Sequence, residues 1–154
     1  KVMISVWWDV KGIVYIDYLG TRETINAAKY QQQIDNVHQA LIEKRPRLVN
    51  RNEVYYHQDN ARPHTAKTTI DKIAALGWKL VPHPPYSPDI APCDFYLFRS
   101  LQAKLNGNSF KTFGELKDFV QNFFDSKSPS YFKKGILKLP ELWEKIVENK
   151  GEYL

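Results

Sequence analysis

The sequence predicts an α/β domain, and three observations support this prediction. A pattern of two apolar strands opens the chain, a strand–helix–strand unit occupies residues 53–81, and several helical patterns follow. A strand, a helix and a second strand within about 30 residues are typical of a βαβ unit, in which the strands are parallel and the crossover is right-handed. The 154 residues, 43% of them apolar, suffice for one core. We therefore expect a single domain over residues 1–154, with a mixed sheet flanked by helices.

The first two elements are predicted to form a β-hairpin. Residues 2–8 and 13–19 are rich in β-branched and aromatic side chains, and the segment from Asp9 to Gly12 is a turn signal between them. Asp9 has the chemistry of a metal ligand, but aspartate is also a frequent turn former, and the turn is the commoner role.

The next segment changes to a helical period. Apolar residues recur at steps of three and four over residues 26–44, which predicts an amphipathic helix. Thr24 or Asn26 can cap the first turn of this helix, and Pro46 ends it.

The βαβ unit comes next in the chain. Residues 53–57 are predicted as its first strand and residues 78–81 as its second. Between them, Thr65 is predicted to cap a helix over residues 66–76, and Gly77 suits the position just after that helix.

The remainder of the chain is predicted to be helical after a stiff loop. Five prolines lie within residues 82–92, which excludes helix and central strand there, and a helix is expected over residues 94–105. A capping-box pattern at residues 112–115 predicts another helix. Ser128-Pro129 is expected to start another helix, and Pro140 suits the first turn of a last one.

Composition restricts the partners and the compartment. A net charge of +5 suits a polyanion such as nucleic acid, although many basic proteins bind none. The one cysteine, Cys93, allows no internal disulfide, which suits a reducing, intracellular compartment. No apolar run approaches the roughly 20 residues of a membrane-spanning helix, so we expect no membrane partner.

Two aspartates carry the predicted chemistry. Asp59 follows the first strand of the βαβ unit, and open α/β sheets place their sites at the carboxyl ends of strands. Asp94 follows the second strand through the proline-rich loop, so we expect it to return to the same edge. Two converging carboxylates are hard oxygen ligands suited to Mg²⁺ or Mn²⁺. A pair of such ions about 3.5–4 Å apart activates a water or a 3′-hydroxyl for attack on a phosphodiester.

Other interpretations of these residues remain open at this point. Asp59 can serve only to form an Asx turn, and Asp94 only to cap a helix. A cysteine hydrolase built on Cys93 lacks an evident oriented partner. Zinc binding is a further alternative, although the spacing matches no compact zinc-finger pattern. The residues with zinc-ligand chemistry are His57, His64, His83 and Cys93.

Longer motifs around the two aspartates identify a family. The segments HQDNARPHTA at 57–66 and HPPYSPDIAPCDFYLF at 83–98 strongly resemble the catalytic core of mariner-family DNA transposases. The 34 residues between Asp59 and Asp94 match the mariner spacing, and a final aspartate rather than glutamate favours mariner over its sister branch. The opening hairpin segment, the YQQQ segment and the C-terminal GILKLPELWEKIVENKGEYL are similar as well, so the resemblance covers nearly the whole chain.

The resemblance implies an RNase H-like fold and a site with a triad of acids that binds two Mg²⁺ or Mn²⁺ ions. Asp59 matches the second catalytic and metal-binding acid, and Asp94 the third. Asn60, Arg62 and His64 are candidate DNA contacts, with structural roles an equal alternative for Arg62 and His64. The family cleaves DNA at transposon ends and joins the 3′ ends to target DNA. A homodimer in the full-length protein, a nuclear location and no small-molecule cofactor are also implied.

The first acid of the triad is expected upstream of this sequence. In the family it lies on the strand before the opening hairpin, so we expect the first catalytic strand to be absent from this chain. Its absence would leave a gap of about 9–10 Å between the hairpin and the strand at 53–57. Asp9 and Asp17 are poor substitutes, because their strands are expected one place further out.

Two hypotheses follow from the expected gap. The chain alone neither cleaves nor joins DNA, and another polypeptide segment fills the position of the absent strand. The alternative function is that of a domesticated or remnant transposase domain, which acts as a non-catalytic DNA-binding or dimerisation module.

Overall fold

The structure, a computed structural model, describes residues 2–20, 22–59, 61–81 and 92–148, without the side chains of residues 93–95 and 141–148. The strands are β1 Met3–Asp9, β2 Gly12–Leu19, β3 Tyr55–His57 and β4 Lys79–Val81. The α-helices are α1 Ala27–Lys44, α2 Pro46–Asn50, α3 Arg62–Thr65, α4 Lys67–Ala75, α5 Arg99–Leu105, α6 Phe113–Asp125 and α7 Pro129–Glu148. A π-helical segment, Cys93–Phe98, leads into α5.

The chain divides into two compact units. The first consists of Lys1–Trp7 and Val14–Ser87, and the second consists of Trp8–Ile13 and Pro88–Leu154. The boundary passes through the hairpin, so β1 and β2 each contribute residues to both units. That the whole chain is a single domain stays a prediction.

The strands form two separate pairs. Hydrogen bonds join β1 to β2 and β3 to β4. Strands β3 and β4 are parallel, with Tyr55 opposite Lys79 and His57 opposite Val81, which confirms the predicted βαβ unit. Within the described part of the chain, no strand pairing joins the hairpin to β3. That a further strand lies between them stays a prediction.

The hairpin turn has the chemistry that its sequence predicts. Asp9 Oδ1 accepts a hydrogen bond from the backbone N–H of Lys11 at 3.0 Å, as a turn-forming aspartate does. Gly12 has φ +131°, a conformation that side-chain-bearing residues rarely adopt.

Helix α1 supplies the largest buried face of the first unit. Asn26 Oδ1 accepts the N–H of Lys29 at 2.8 Å, so Asn26 is the N-cap, one of the two residues predicted for this role. The apolar stripe of the helix is buried, as the three-to-four period predicts. Its residues form one cluster with the hairpin and the βαβ unit, which includes Trp7, Val14, Tyr30, Ile34, Val37, Leu41, Ile73 and Trp78.

Two short helices were not predicted, and one predicted cap is wrong. Pro46 ends α1 and is also the first residue of α2, because its fixed φ suits a helix start.

Thr65 does not cap α4. It is the last residue of α3, and its hydroxyl donates to the carbonyl of Ala61 at 3.4 Å. Helix α4 begins after Ala66, without a side-chain cap.

The prediction of a separate last helix beginning at Pro140 is also wrong. Helix α7 runs through Pro140 from Pro129 to Glu148. A proline inside a helix removes one backbone hydrogen bond, and the neighbouring turns maintain the helix on both sides of it. The position of a proline alone therefore did not decide between a helix start and a helix interior.

Helices α6 and α7 both lie in the second unit. Thr112 Oγ1 accepts the N–H of Glu115 at 3.1 Å, which confirms the predicted N-cap of α6. The carboxylate of Glu115 accepts the N–H of Lys111 at 2.9 Å, one residue earlier than a standard capping box. On α7, the ring of Phe132 lies 5.9 Å from that of Trp8. None of the helices in the described ranges combines the length and apolar character that crossing a bilayer needs.

Tyr96 packs on α7 at a position where only glycine fits. Its ring lies 4.8 Å from the ring of Tyr131, and a Cβ built on Gly135 would overlap the Tyr96 ring. By contrast, a Cβ on Gly114 of α6 would make an ordinary contact, 3.8 Å from the hydroxyl of Thr112.

We expect Gly135→Ala to lower the free energy of unfolding by about 1–3 kcal/mol, because the overlap with Tyr96 outweighs the higher helix propensity of alanine. Urea denaturation measures this change. The matched control, Gly114→Ala, should leave stability unchanged or slightly raised. Equal stability changes in the two variants would contradict the packing described for Tyr96.

Tyr96 also gives a pH dependence. Burial, and to a lesser extent the neighbouring Tyr131, raises the pKa of Tyr96 above its ordinary value of 10.0. The unfolded chain therefore loses this proton first as the pH rises. The stabilisation is complete below pH 10.0 and is lost as the pH passes through the higher pKa of the folded state.

We expect the stability of the wild-type protein to fall more steeply above pH 10.0 than that of Tyr96→Phe, which has no ionisable hydroxyl. Urea denaturation across the alkaline range measures both curves. Parallel curves would show that Tyr96 keeps its ordinary pKa.

Candidate active site

The first predicted acid, Asp59, lies at the carboxyl end of β3. The strand ends at His57, and the Asp59 side chain is 50% exposed. Its Oδ1 accepts the N–H of Ala61 at 3.0 Å, which is the Asx-turn bond that the sequence allowed. The same oxygen lies 2.5 Å from His64 Nδ1 on α3. The structure therefore brings together two of the predicted site residues, Asp59 and His64.

The contact between His64 and Asp59 is electrostatic rather than a well-angled hydrogen bond. His64 Nδ1 is buried and meets no hydrogen-bond geometry, yet it is close enough to the carboxylate for an ion pair. The imidazole and the carboxylate are therefore in direct contact through these two atoms.

His64 is held from behind by Tyr30 of α1. The two rings stack, with centroids 4.1 Å apart and an interplanar angle of 29°. The backbone carbonyl of His64 accepts a hydrogen bond from Gln58 Nε2 at 2.9 Å. Gln58 Oε1 in turn accepts the Tyr30 hydroxyl at 2.6 Å. Tyr30 therefore contacts His64 directly through its ring and indirectly through Gln58.

These contacts continue into the core as a chain of hydrogen bonds in which each side chain donates to the next. Because Tyr30 donates to Gln58, the Tyr56 hydroxyl at 2.5 Å must donate to Tyr30. Tyr56 then accepts from Trp7 Nε1 at 2.8 Å. Trp7 and Tyr30 are buried. A row of donors thus runs from the hairpin through β3 and α1 to the segment that follows Asp59.

The loop after Asp59 has a second anchor in α4. Thr69 is fully buried, and its hydroxyl donates to the carbonyl of Pro63 at 2.7 Å. The neighbouring Thr68 is exposed and accepts a hydrogen bond from Gln31 Nε2 at 2.9 Å. Helix α4 therefore fixes the residue before His64.

The other predicted site residues are Arg62, Asn60 and Asp94, and only Arg62 is described in full. Arg62 is exposed at the first position of α3. Asn60 lies outside the described residues. Asp94 lies inside the π-helical segment rather than at a helix N-cap, since Pro92 is the cap, and its side chain is outside the described set. The capping interpretation of Asp94 is therefore wrong, whereas its metal role stays a prediction.

Sequence reasoning missed the residues behind the site. The apolar period of α1 accounts for Tyr30 only as a buried residue, and no sequence pattern predicts a role for Gln58, Tyr56 or Trp7. One signal was present: a buried tyrosine needs a hydrogen-bond partner, and Gln58 directly precedes the predicted acid. Among the side chains that the structure describes, no group of three or more His, Cys, Asp or Glu residues is arranged to hold a metal ion.

Thr69→Val should lower the free energy of unfolding by about 1–2 kcal/mol, because it removes a buried hydrogen bond at nearly constant volume. Urea denaturation measures the change. The control Thr68→Val, on the exposed side of the same helix, should change stability by less than about 0.5 kcal/mol. A Thr69 variant as stable as the control would contradict the anchoring of this loop.

Comparisons with known proteins give consistent similarities. The model of a family described as "Transposase (partial DDE domain)" matches residues 1–51. The mariner Mos1 transposase of Drosophila mauritiana is 41% identical over 155 residues, which cover 100% of this chain and 45% of that protein. The human histone-lysine N-methyltransferase SETMAR is 38% identical, with 99% of this chain and 22% of that protein covered. The chain thus spans less than half the length of both relatives.

A solved structure extends the similarity to the backbone. The Mos1 transposase catalytic domain, solved with raltegravir and Mg, matches with a TM-score of 0.95 at 40% identity, over 99% of this chain and 77% of that one. This agreement confirms the predicted α/β, RNase H-like fold class.

Proposed function

This chain belongs to the mariner family of DNA transposases and corresponds to their catalytic domain, and we propose on that basis that the whole protein is a metal-dependent transposase. It would cleave phosphodiester bonds at transposon ends and join the 3′ ends to target DNA. One observation supports this function most directly: Asp59, within the mariner motif, stands at the carboxyl end of β3 as a half-exposed carboxylate oriented by two contacts.

The proposed metal ligands are Asp59 and Asp94. The Asp59 carboxylate fits a hard divalent cation, because it offers charged oxygen atoms at an accessible strand end. Asp94 is assigned by its place in the second motif and by its spacing from Asp59. Mg²⁺ or Mn²⁺ ions supply charge neutralisation at a phosphodiester and activation of a hydroxyl nucleophile. The structure of the Mos1 catalytic domain was solved with Mg.

The other residues of the first motif have proposed roles in DNA binding. Arg62 is exposed beside the candidate ligand and carries a permanent charge, so it suits a phosphate group. His64 faces Asp59 with Nδ1 and contributes to the shape of the same surface. Asn60 is assigned from the motif alone. Transposon-end DNA and target DNA are the proposed partners, with a homodimer and a nuclear location for the full-length protein.

A second candidate function is a non-catalytic DNA-binding or dimerisation module. The similarity to SETMAR favours this second function, because SETMAR is named for a different activity. The similar region covers 99% of this chain but only 22% of SETMAR. The same domain is thus found within a protein with another catalytic function.

Substitution of the proposed ligands separates these functions. In the full-length protein with Mg²⁺, Asp59→Asn and Asp94→Asn should each reduce cleavage of transposon-end DNA at least about 10³-fold, because the loss of one carboxylate weakens the metal site on which the chemistry depends. Gel analysis of labelled DNA measures cleavage, and DNA binding is measured in parallel. The matched control is Asp71→Asn, an exposed aspartate of α4, which should leave cleavage unchanged.

Two results would contradict the proposal. Cleavage that survives either ligand substitution would exclude that residue from the site. Specific DNA binding without any metal-dependent cleavage by the wild-type protein would favour the non-catalytic module.

A further inference from the structure

We propose that Tyr30 and Gln58 are positioning residues for Asp59. They act by holding His64 in contact with one oxygen of the Asp59 carboxylate. The proposal rests on the proposed role of Asp59 as a metal ligand. Its basis is a series of contacts within the first unit, in which Tyr30 contacts Gln58 and His64, Gln58 contacts His64, and His64 contacts Asp59.

Asp59 needs restraint from other side chains because the short strand before it restrains its backbone little. Strand β3 has three residues, and Asp59 lies beyond the last of them, with half of its side chain exposed. An exposed aspartate exchanges between rotamers unless neighbouring groups restrain it. Residues behind a metal ligand typically change metal affinity about 10–100-fold when they are removed, because they orient the ligand.

His64 is suited to restrain Asp59 only if it is itself fixed. It lies on α3, a helix of four residues, which has little stability of its own. Its side chain is 21% exposed and stacks on Tyr30, and its carbonyl accepts a hydrogen bond from Gln58. The ring contact limits rotation of the imidazole, and the backbone contact limits movement of the helix.

Tyr30 makes both restraints possible from one side chain. It is 4% exposed on a helix of 18 residues that forms the core of the first unit, so its own position is well determined. Its hydroxyl donates to Gln58 Oε1, which directs the Gln58 amide N–H toward His64. Tyr30→Phe would keep the stacked ring but remove this orientation.

A purely structural role for these residues predicts a different result. Loss of a buried hydrogen bond lowers stability wherever it occurs in the unit, but it changes the metal affinity of the folded protein only if it orients a ligand. Two matched controls lie in the same unit. Tyr15 accepts a hydrogen bond from Asn36 Nδ2 at 3.2 Å, and buried Gln33 donates to Asp17 Oδ2 at 2.8 Å.

The experiment measures Mn²⁺ binding to the folded full-length protein by isothermal titration calorimetry, with circular dichroism to set a temperature at which every variant is folded. Tyr30→Phe and Gln58→Met should each weaken Mn²⁺ binding about 10–100-fold. Neither control should change the affinity, although Gln33→Met should lose stability because Gln33 is buried, whereas Tyr15→Phe removes only an exposed hydrogen bond. Because Gln58 is only partly buried, its variant tests the proposal even if Tyr30→Phe does not fold.

Asp59→Asn distinguishes the two proposals. If it abolishes Mn²⁺ binding while Tyr30→Phe and Gln58→Met bind as the wild type does, the positioning role is wrong and the metal role of Asp59 stands. If Asp59→Asn itself binds normally, the metal role fails and the positioning role fails with it. Equal losses of affinity in the controls would show a general effect of stability and would overturn the positioning role.

Discussion

The burial of Tyr30 in α1 is the constraint on which the first unit depends most. Its ring contributes to the apolar cluster between the hairpin and the βαβ unit, while its hydroxyl must find partners because an unsatisfied buried oxygen is costly. Those partners are Tyr56 and Gln58, one within β3 and one just beyond it. A requirement of the core thus determines where the polar groups next to Asp59 point.

The shortness of β3 explains why side chains share this task with the backbone. Strands β3 and β4 have three residues each, and a pair of such strands provides few backbone hydrogen bonds. An isolated two-stranded sheet is marginally stable and needs packing against helices. Trp7 of β1 and Tyr30 of α1 both hydrogen-bond to Tyr56 of β3 and so supply polar support from two other elements.

The sequence predicted the elements with strong periodicity and missed those that depend on tertiary contacts. The hairpin, α1, the parallel βαβ unit and α6 follow from apolar period, turn chemistry and caps, all of which act over a few residues. Helices α2 and α3 have five and four residues, too short for a period to be visible. The helix boundary predicted at Pro140 is wrong for a different local reason. A proline occurs at helix starts and, less often, inside helices, so its position alone does not locate a boundary.

The candidate site shows the same division. Asp59 and Asp94 were recognised from long motifs, whereas the Tyr30–Gln58–His64 contacts join residues far apart in sequence and could not be read from spacing. A sequence motif therefore points to candidate site residues more readily than to the residues that contact them in the folded chain.

The two interpretations of Asp59 that the sequence left open are compatible. An Asx turn engages one oxygen of the carboxylate, and a carboxylate has two oxygens with about four acceptor positions. The bond from Ala61 and the contact with His64 both reach Oδ1. Both contacts restrain this oxygen. The turn that would explain Asp59 as a structural residue therefore also restrains the carboxylate in the way that the proposed metal role requires.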